Sequence, residues 1–444
     1  MTDQGTLNGT QSSRRTFLRG AGGLALLGLA PGALTACGGS KGGSTGSTAT
    51  GKTGPISMWS QPYGTEPGAW AKYTSSVAST FGSQGHGNVN WQIVPWVSAL
   101  QKWDLAMSNC SNPNVGDMFF LQSRIVQGKG RCSPLDITAE VNSGTFGDWS
   151  RFVPVSQRES SYQDRIYGIP WRIDIRTLVS NSDFWKPVTS LAEFESQAVE
   201  VVGQHNLAAA AQVGVGAQAY QAIKMIGALW GIEPLSTDVT KSALDDDRWM
   251  EACLWASDMV KKKVLLQSGV TDQKAPSSEA FINKRIAVAF GGGAGLRDLA
   301  RTTSAEFAAK VQASPMPIGA AGKAIGLASS AQFTVFENTE SRDTAIEWLK
   351  YITSPDVSAE IAKQAAAQSS DTDVQKRSTD AFFKPFYDTS KTALGIDQPS
   401  PKWNQLTAVP EGPLSKLAID IFTGKDVKTA LQSAHEATQK VLAQ

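Results

Sequence analysis

From Pro55 onward, short apolar runs alternate with segments whose apolar residues recur at helical spacing, and this alternation confines the chain to an α/β architecture. Val89-Asn90-Trp91-Gln92-Ile93-Val94 reads as a strand stopped by Pro95, after which Trp96, Leu100, Trp103 and Met107 share one helical face. Asp117-Met118-Phe119-Phe120-Leu121 reads as a short buried strand. Trp249, Ala252, Cys253, Ala256 and Val260 form another helical face, with Asp245-Asp246-Asp247 before it and Lys261-Lys262-Lys263 at its end. Those signs complement a helix dipole, so the charge runs read as capping. Ala345, Trp348, Leu349 and Ile352 line a further helix that Pro355 stops. No internal repeat and no second linker interrupts the pattern, so its lobes are expected to be joined by several short crossings.

At 444 residues the chain exceeds any single small module and has room for two or three cores. Lys plus Arg number 41 and Asp plus Glu 40, a balance that argues against nucleic acid as partner. His86, His205 and His435 never fall in HExxH or HxH spacing, so no metal site is expected. Cys37, Cys110, Cys132 and Cys253 contain no CxxC, which argues against a zinc ribbon or a redox dithiol. Gly291-Gly292-Gly293-Ala294-Gly295-Leu296 does not fit GxGxxG, and no cofactor is expected.

The N-terminus reads as an address. Ser13-Arg14-Arg15-Thr16-Phe17-Leu18-Arg19 resembles a twin-arginine export signal, and Leu34-Thr35-Ala36-Cys37 resembles a lipobox. The apolar stretch between them is too short to span a hydrocarbon core of ~30 Å, so residues 1–36 are expected to be removed. Cys37 is then the lipidated first residue, and residues 37–54 form a Gly/Ser tether to the outer face of the cytoplasmic membrane. Export permits a Cys110–Cys132 disulfide: one cysteine ends the helix before the Asp117 strand and the other follows the helix after it. The alternative is a pair of buried free thiols. Cys253, on an apolar helix face, is expected to stay free.

Taken in order, the pieces resemble the extracellular solute-binding proteins of family 1, the maltose-binding-like receptors of sugar ABC importers. Tyr167-Gly168-Ile169-Pro170-Trp171-Arg172-Ile173-Asp174, continuing through Leu178-Val179-Ser180-Asn181, carries the likeness most clearly, with Ser180 where the family usually has Tyr. Ile56-Ser57-Met58-Trp59, Val115-Gly116-Asp117-Met118, Ser133-Pro134-Leu135-Asp136 and Ser190-Leu191-Ala192-Glu193-Phe194 follow the family order. Further on, Phe281 to Val288, Pro315-Met316-Pro317, Gly326-Leu327-Ala328 and Ala345 to Ile352 continue it. The resemblance implies a two-lobed, periplasmic-binding-protein-like type II fold with a hinge. One lobe would comprise 55–173 with 328–370, the other 174–327 with 371–444. Ala294 stands where the family often has an aromatic residue, so that stacking platform is absent or supplied elsewhere.

A sugar presents apolar C–H faces and many hydroxyls, so a receptor for it needs aromatic planes with fixed carboxylates, amides and guanidiniums. The chain has 13 Trp, several beside polar residues at loop positions after strands, where α/β lobes bind ligands. The candidates for ligand contact are Trp171, Asp174, Trp59, Trp96, Gln122, Gly291, Gly292 and Trp403. For each a plainer reading stays open: core packing for the tryptophans, a hinge hydrogen bond for Asp174, a turn for the glycines. Trp103, Trp249, Trp255 and Trp348 lie on helical faces and are expected in the core. The expected function is a lipoprotein that delivers a carbohydrate to permease subunits. A secreted hydrolase or lyase with paired carboxylates, or a receptor for a polyamine or other non-sugar solute, remains as an alternative.

Overall fold

A computed structural model of the chain describes residues 53–64, 68–119, 121–127, 132–214, 218–272 and 278–444. The twin-arginine segment, Cys37 and Phe120 lie outside the described residues. The strands are β1 (Ile56–Ser60), β2 (Val89–Ile93), β3 (Val115–Phe119), β4 (Ser161–Tyr162), β5 (Arg165–Ile166) and β6 (Ile169–Asn181). They continue with β7 (Ala211–Val213), β8 (Val288–Gly292), β9 (Val311–Ser314), β10 (Leu327–Val335), β11 (Gln368–Ser369) and β12 (Leu394–Gly395). The fold is mixed α/β, as the alternating pattern predicts.

Two strands hold the architecture together. β1 pairs in parallel with β2 and with β3, and β3 lies antiparallel to the C-terminal half of β10. β10 is antiparallel to β6, whose far half pairs with β8 and β9, and β8 in turn is parallel to β7. Thus β6 begins in a first lobe built on β1, β2 and β3 and ends in a second built on β7, β8 and β9. Its sequence explains how it serves both. In IPWRIDIRTLVSN, Trp171, Ile173 and Ile175 are buried while Arg172, Asp174 and Arg176 stay partly exposed, the period-two alternation of a strand with one open face.

Each lobe has its own apolar core. Met58, Trp70, Phe81, Trp171, Phe333 and Trp348 belong to the first. Trp185, Phe194, Trp249 and Leu417 belong to the second, which encloses the helix Tyr220–Trp230 so fully that Lys224 is only 2% exposed. A smaller cluster containing Ile173, Ile175, Val179, Ala328 and Phe386 lies where the crossing strands meet. Trp103, Trp249 and Trp348 are buried to 2% or less, as their helical faces predict, and Trp255 is partly buried.

Local signals set the element boundaries. Pro95 precedes the helix Trp96–Asn109, and the Asp246 side chain caps the helix Asp247–Lys261 by accepting the Arg248 N–H at 3.0 Å. Ser190 and Glu193 form a reciprocal capping box. The strand expected over 117–121 runs instead over Val115–Phe119, and Leu121 opens a helix that carries Gln122. Pro355 does not merely stop a helix; it occupies the first turn of the next, Pro355–Gln364. Thr372–Lys376 packs on that helix and on β11. Cys110 and Cys132 are bridged in a disulfide with Cα atoms 5.1 Å apart. Cys253 is a free, buried thiol, pushed up to about 12 by burial.

Candidate functional site

The carboxyl ends of three neighbouring parallel strands converge on one spot, the position where α/β sheets place ligands. Tyr63 follows β1, Trp96 follows β2, and Phe119 ends β3. The Trp96 ring stands edge-on to Tyr63 at 5.6 Å and tilted against Phe119 at 5.4 Å. Trp96 is 49% exposed, and its indole N–H donates to the Pro62 carbonyl at 2.9 Å, which fixes the ring. It is an aromatic plane held open to solvent.

Beneath it lies a buried acid. Asp117 accepts the Tyr63 hydroxyl at 2.7 Å through one oxygen and the Trp171 indole N–H at 2.8 Å through the other. Burial pushes its carboxyl up to about 6, outweighing the opposing hydrogen bonds and the charge of Arg172. Burial, reinforced by Asp117, also raises the Tyr63 hydroxyl well above its ordinary value. Trp171 is 1% exposed, stacked on Phe333 at 5.1 Å and 3°, with Tyr63 against it edge-on at 5.2 Å. The Arg172 guanidinium sits 5.0 Å from the Tyr63 ring centre and 5.1 Å from that of Phe119.

The open face of β6 continues into the second lobe. Arg176 donates to Asp174 at 2.7 Å, and a Cβ at Gly293 would lie 3.2 Å from the Asp174 carboxylate and 3.3 Å from the Arg176 guanidinium. Glycine there lets the pair rest close against backbone. Nearby, Asp397 accepts the Tyr220 hydroxyl at 3.0 Å and the Trp403 indole N–H at 2.5 Å. Burial raises the Asp397 carboxyl to about 6 and the Tyr220 hydroxyl well above its ordinary value. Lys224 pairs with Glu233, its ammonium 5.8 Å from the Trp403 ring centre.

Where the sheet divides between lobes, a third acid closes the gap. Glu159 ends the helix Pro154–Glu159 and accepts the Ser330 backbone N–H at 2.6 Å, on β10 between its pairings with β12 and β3. Burial pushes its carboxyl up to about 8, with Asp397 adding repulsion and Arg158 and Lys224 opposing. A cavity of 670 Å³ lies alongside, lined by Gln122, Arg158 and Tyr162 on one side and Thr237, Asp238 and Lys402 on the other.

The structure separates the sequence candidates into three groups. Trp96 and Asp174 lie on the open faces just described. Trp171 and Trp403 do not present a stacking face: both are buried, at 1% and 3%, with the indole N–H committed to an aspartate. Enclosed by neighbours, neither ring leaves a free plane, which favours the core-packing reading left open for the tryptophans. Trp59 packs on Trp103 at 5.2 Å, with Lys102 over its ring at 3.8 Å, under the helix that covers the sheet. The Gln122 amide is pinned between the Arg158 and Ser161 carbonyls, both at 2.7 Å. Gly291 adopts φ of 82° and abuts Met225, while Gly292 packs on Val179 and Leu296. The close approach falls one residue on, at Gly293.

Residues outside the candidate set that the geometry brings in are Tyr63, Asp117, Glu159, Arg172, Tyr220 and Asp397. Arg172 had a legible signal, its alternation with Asp174 and Arg176 along β6. Among the described residues no group of three or more His, Cys, Asp or Glu is placed to hold a metal ion.

No curated protein matches the sequence significantly. Solved structures resemble it closely in fold at low identity. The GacH receptor of Streptomyces glaucescens, determined unliganded and with acarbose and an acarbose homologue, shares 18% identity over 88% of this chain and 99% of its own, with TM-score 0.71. The sugar-binding protein MalE of Xanthomonas citri shares 14% over 88% and 97%, with TM-score 0.74. The cyclic α-maltosyl-1,6-maltose binding protein of Arthrobacter globiformis shares 14% over 88% and 99%, with TM-score 0.72. The sequence itself matches a defined family over residues 76–382, more than half its length, and so the chain belongs to the bacterial extracellular solute-binding proteins.

Proposed function

We propose that the protein is a lipid-anchored receptor that takes a carbohydrate between its two lobes and hands it to the permease of an ABC importer. The observation that carries this reading is the convergence of Tyr63, Trp96 and Phe119, at three strand ends, with the open Arg172, Asp174 and Arg176 face of the crossing strand. An exposed indole suits the C–H face of a pyranose, and the polar face suits its hydroxyls. The sugars bound by structures of the same fold agree with that chemistry. Membership in a solute-binding family favours a receptor over the hydrolase or lyase alternative. Closure is the hinge motion of β6 and β10, and the ligand drives it by binding the closed state more tightly than the open one. Export by the twin-arginine pathway and anchoring through Cys37 rest on the Arg14-Arg15 and Leu34-Cys37 motifs.

A thermal-shift screen over mono- and oligosaccharides, with polyamines as the contrasting class, tests the ligand. A specific ligand at about 100 times its dissociation constant adds about 2.7 kcal/mol of stability. A shift by saccharides without product formation is expected; a shift by spermidine alone, or turnover of an oligosaccharide, contradicts the reading. Cys37→Ala is expected to release the protein from membranes or leave it unprocessed, and unchanged lipid labelling would contradict the anchor.

A further inference from the structure

We infer that the ligand carries an oxyanion, a carboxylate or phosphate borne on the sugar, and that Arg172 receives it; this rests on the carbohydrate reading and narrows its substrate class. Three charged side chains share the open face of β6, and two of them satisfy each other: Arg176 donates to Asp174 at 2.7 Å. Arg172 has no such partner. Among the described residues no carboxylate lies within ion-pair distance of its guanidinium; its Nε, like that of Arg176, is buried without an acceptor, and the group it meets is the neutral Tyr63 hydroxyl. Asp117 is near enough to influence it electrostatically, but its oxygens accept the Tyr63 hydroxyl and the Trp171 indole and form no ion pair with Arg172.

What surrounds Arg172 instead is aromatic. Its guanidinium carbon lies 5.0 Å from the ring centre of Tyr63, 5.1 Å from Phe119 and 5.9 Å from Trp171. Ring faces stabilise a cation but offer no lone pairs in the plane of its N–H groups. A guanidinium has five donors in a fixed fork, and its best complement is an oxyanion, carboxylate or phosphate, that presents two oxygens to accept two of them at once. A neutral hydroxyl takes one and returns no charge. The same two rings, Tyr63 and Phe119, also flank the exposed Trp96. One pyranose could therefore stack on Trp96 while its acidic substituent meets Arg172.

Calorimetric titration of the full chain with glucuronate, galacturonate and glucose 6-phosphate, each against its neutral parent and with disaccharide counterparts, tests this. The acidic form is expected to bind at least about tenfold tighter than its parent, as one added charge-assisted pair warrants. The uronate and phosphate arms then identify which oxyanion is meant. Arg172→Gln is expected to bring that ratio to within about threefold, and Arg172→Lys, which keeps the charge but not the fork, to leave an intermediate ratio. Neutral parents binding as well as the acids overturn the inference while sparing the carbohydrate reading. So does an unchanged ratio in an Arg172→Gln protein whose melting transition is native-like. Failure of every saccharide, acidic and neutral, overturns the carbohydrate reading and this inference together.

Discussion

The two lobes use the same device in different surroundings. In the first lobe Asp117 holds a tyrosine hydroxyl and a tryptophan N–H, from Tyr63 and Trp171; in the second Asp397 holds the same two groups, from Tyr220 and Trp403. Both carboxyls are pushed up to about 6 by burial. Around Asp117 stand an exposed indole and a guanidinium without an acid partner, whereas around Asp397 the cation Lys224 is already paired with Glu233. The comparison teaches that a buried acid can fix an aromatic pair as a rigid layer behind a wall. In front of that layer, among the described residues, the first lobe sets the half-exposed Trp96 and an Arg172 that has no carboxylate partner.

The largest test of that parallel is to remove the paired indoles. Trp171→Ala and Trp403→Ala are each expected to lower stability by about 3–5 kcal/mol, the ordinary consequence of emptying a buried tryptophan site, with an aspartate oxygen left unsatisfied as well. Urea unfolding measures it. A variant that loses ligand affinity yet keeps native stability would show that its indole faces the ligand after all, and the parallel would fail on that side.

Next comes the covalent difference between the lobes. The first carries the Cys110–Cys132 bridge, 22 residues apart in sequence, and the second only the buried thiol of Cys253. Replacing both bridged cysteines with serine is expected to cost ~3 kcal/mol in the chain-entropy account. Reducing agent should lower the melting temperature of the wild type and leave the double variant unmoved. Equal sensitivity in both would place the effect elsewhere.

The smallest effect sharpens the junction between lobes. Glu159, at about 8 in the folded protein against an ordinary 4.5, keeps a proton that the unfolded chain has released over that interval. Stability therefore falls as pH rises from the lower value through the upper, and Asp117 and Asp397 act in the same direction between 3.8 and about 6. Glu159→Gln should flatten the upper part of that decline, so that from about pH 6 to about pH 8.5 its melting temperature drops a few degrees less than that of the wild type. Parallel melting curves across that range would remove Glu159 from the junction.

The α/β class and the helices around Trp103, Trp249 and Trp348 were legible because apolar spacing reports burial directly, whereas the crossing at Trp171 was legible only through the family resemblance of the block over residues 167–174. The site was legible only in part, for the same reason. Tryptophan beside polar residues marks amphipathic surroundings, but a buried aspartate that accepts an indole N–H creates those surroundings inside the protein, as at Trp171 and Trp403. Asp117 is 54 residues from each of its partners, a pairing that only the tertiary fold produces. The neighbouring strand residue Arg172, masked by the more prominent Trp171, was readable from alternation alone.

Trp96 is the proposed ligand platform at the strand ends. Calorimetric titration of the tightest saccharide from the screen into wild type, Trp96→Ala and Asp238→Ala addresses it, the last placed in the 670 Å³ cavity beside Gln122. The expected result is a loss of about tenfold or more for Trp96→Ala, with its melting temperature in the absence of ligand nearly unchanged because the ring is half exposed, and wild-type affinity for Asp238→Ala. Wild-type affinity in Trp96→Ala with binding lost in Asp238→Ala would contradict the account and move the ligand to that cavity.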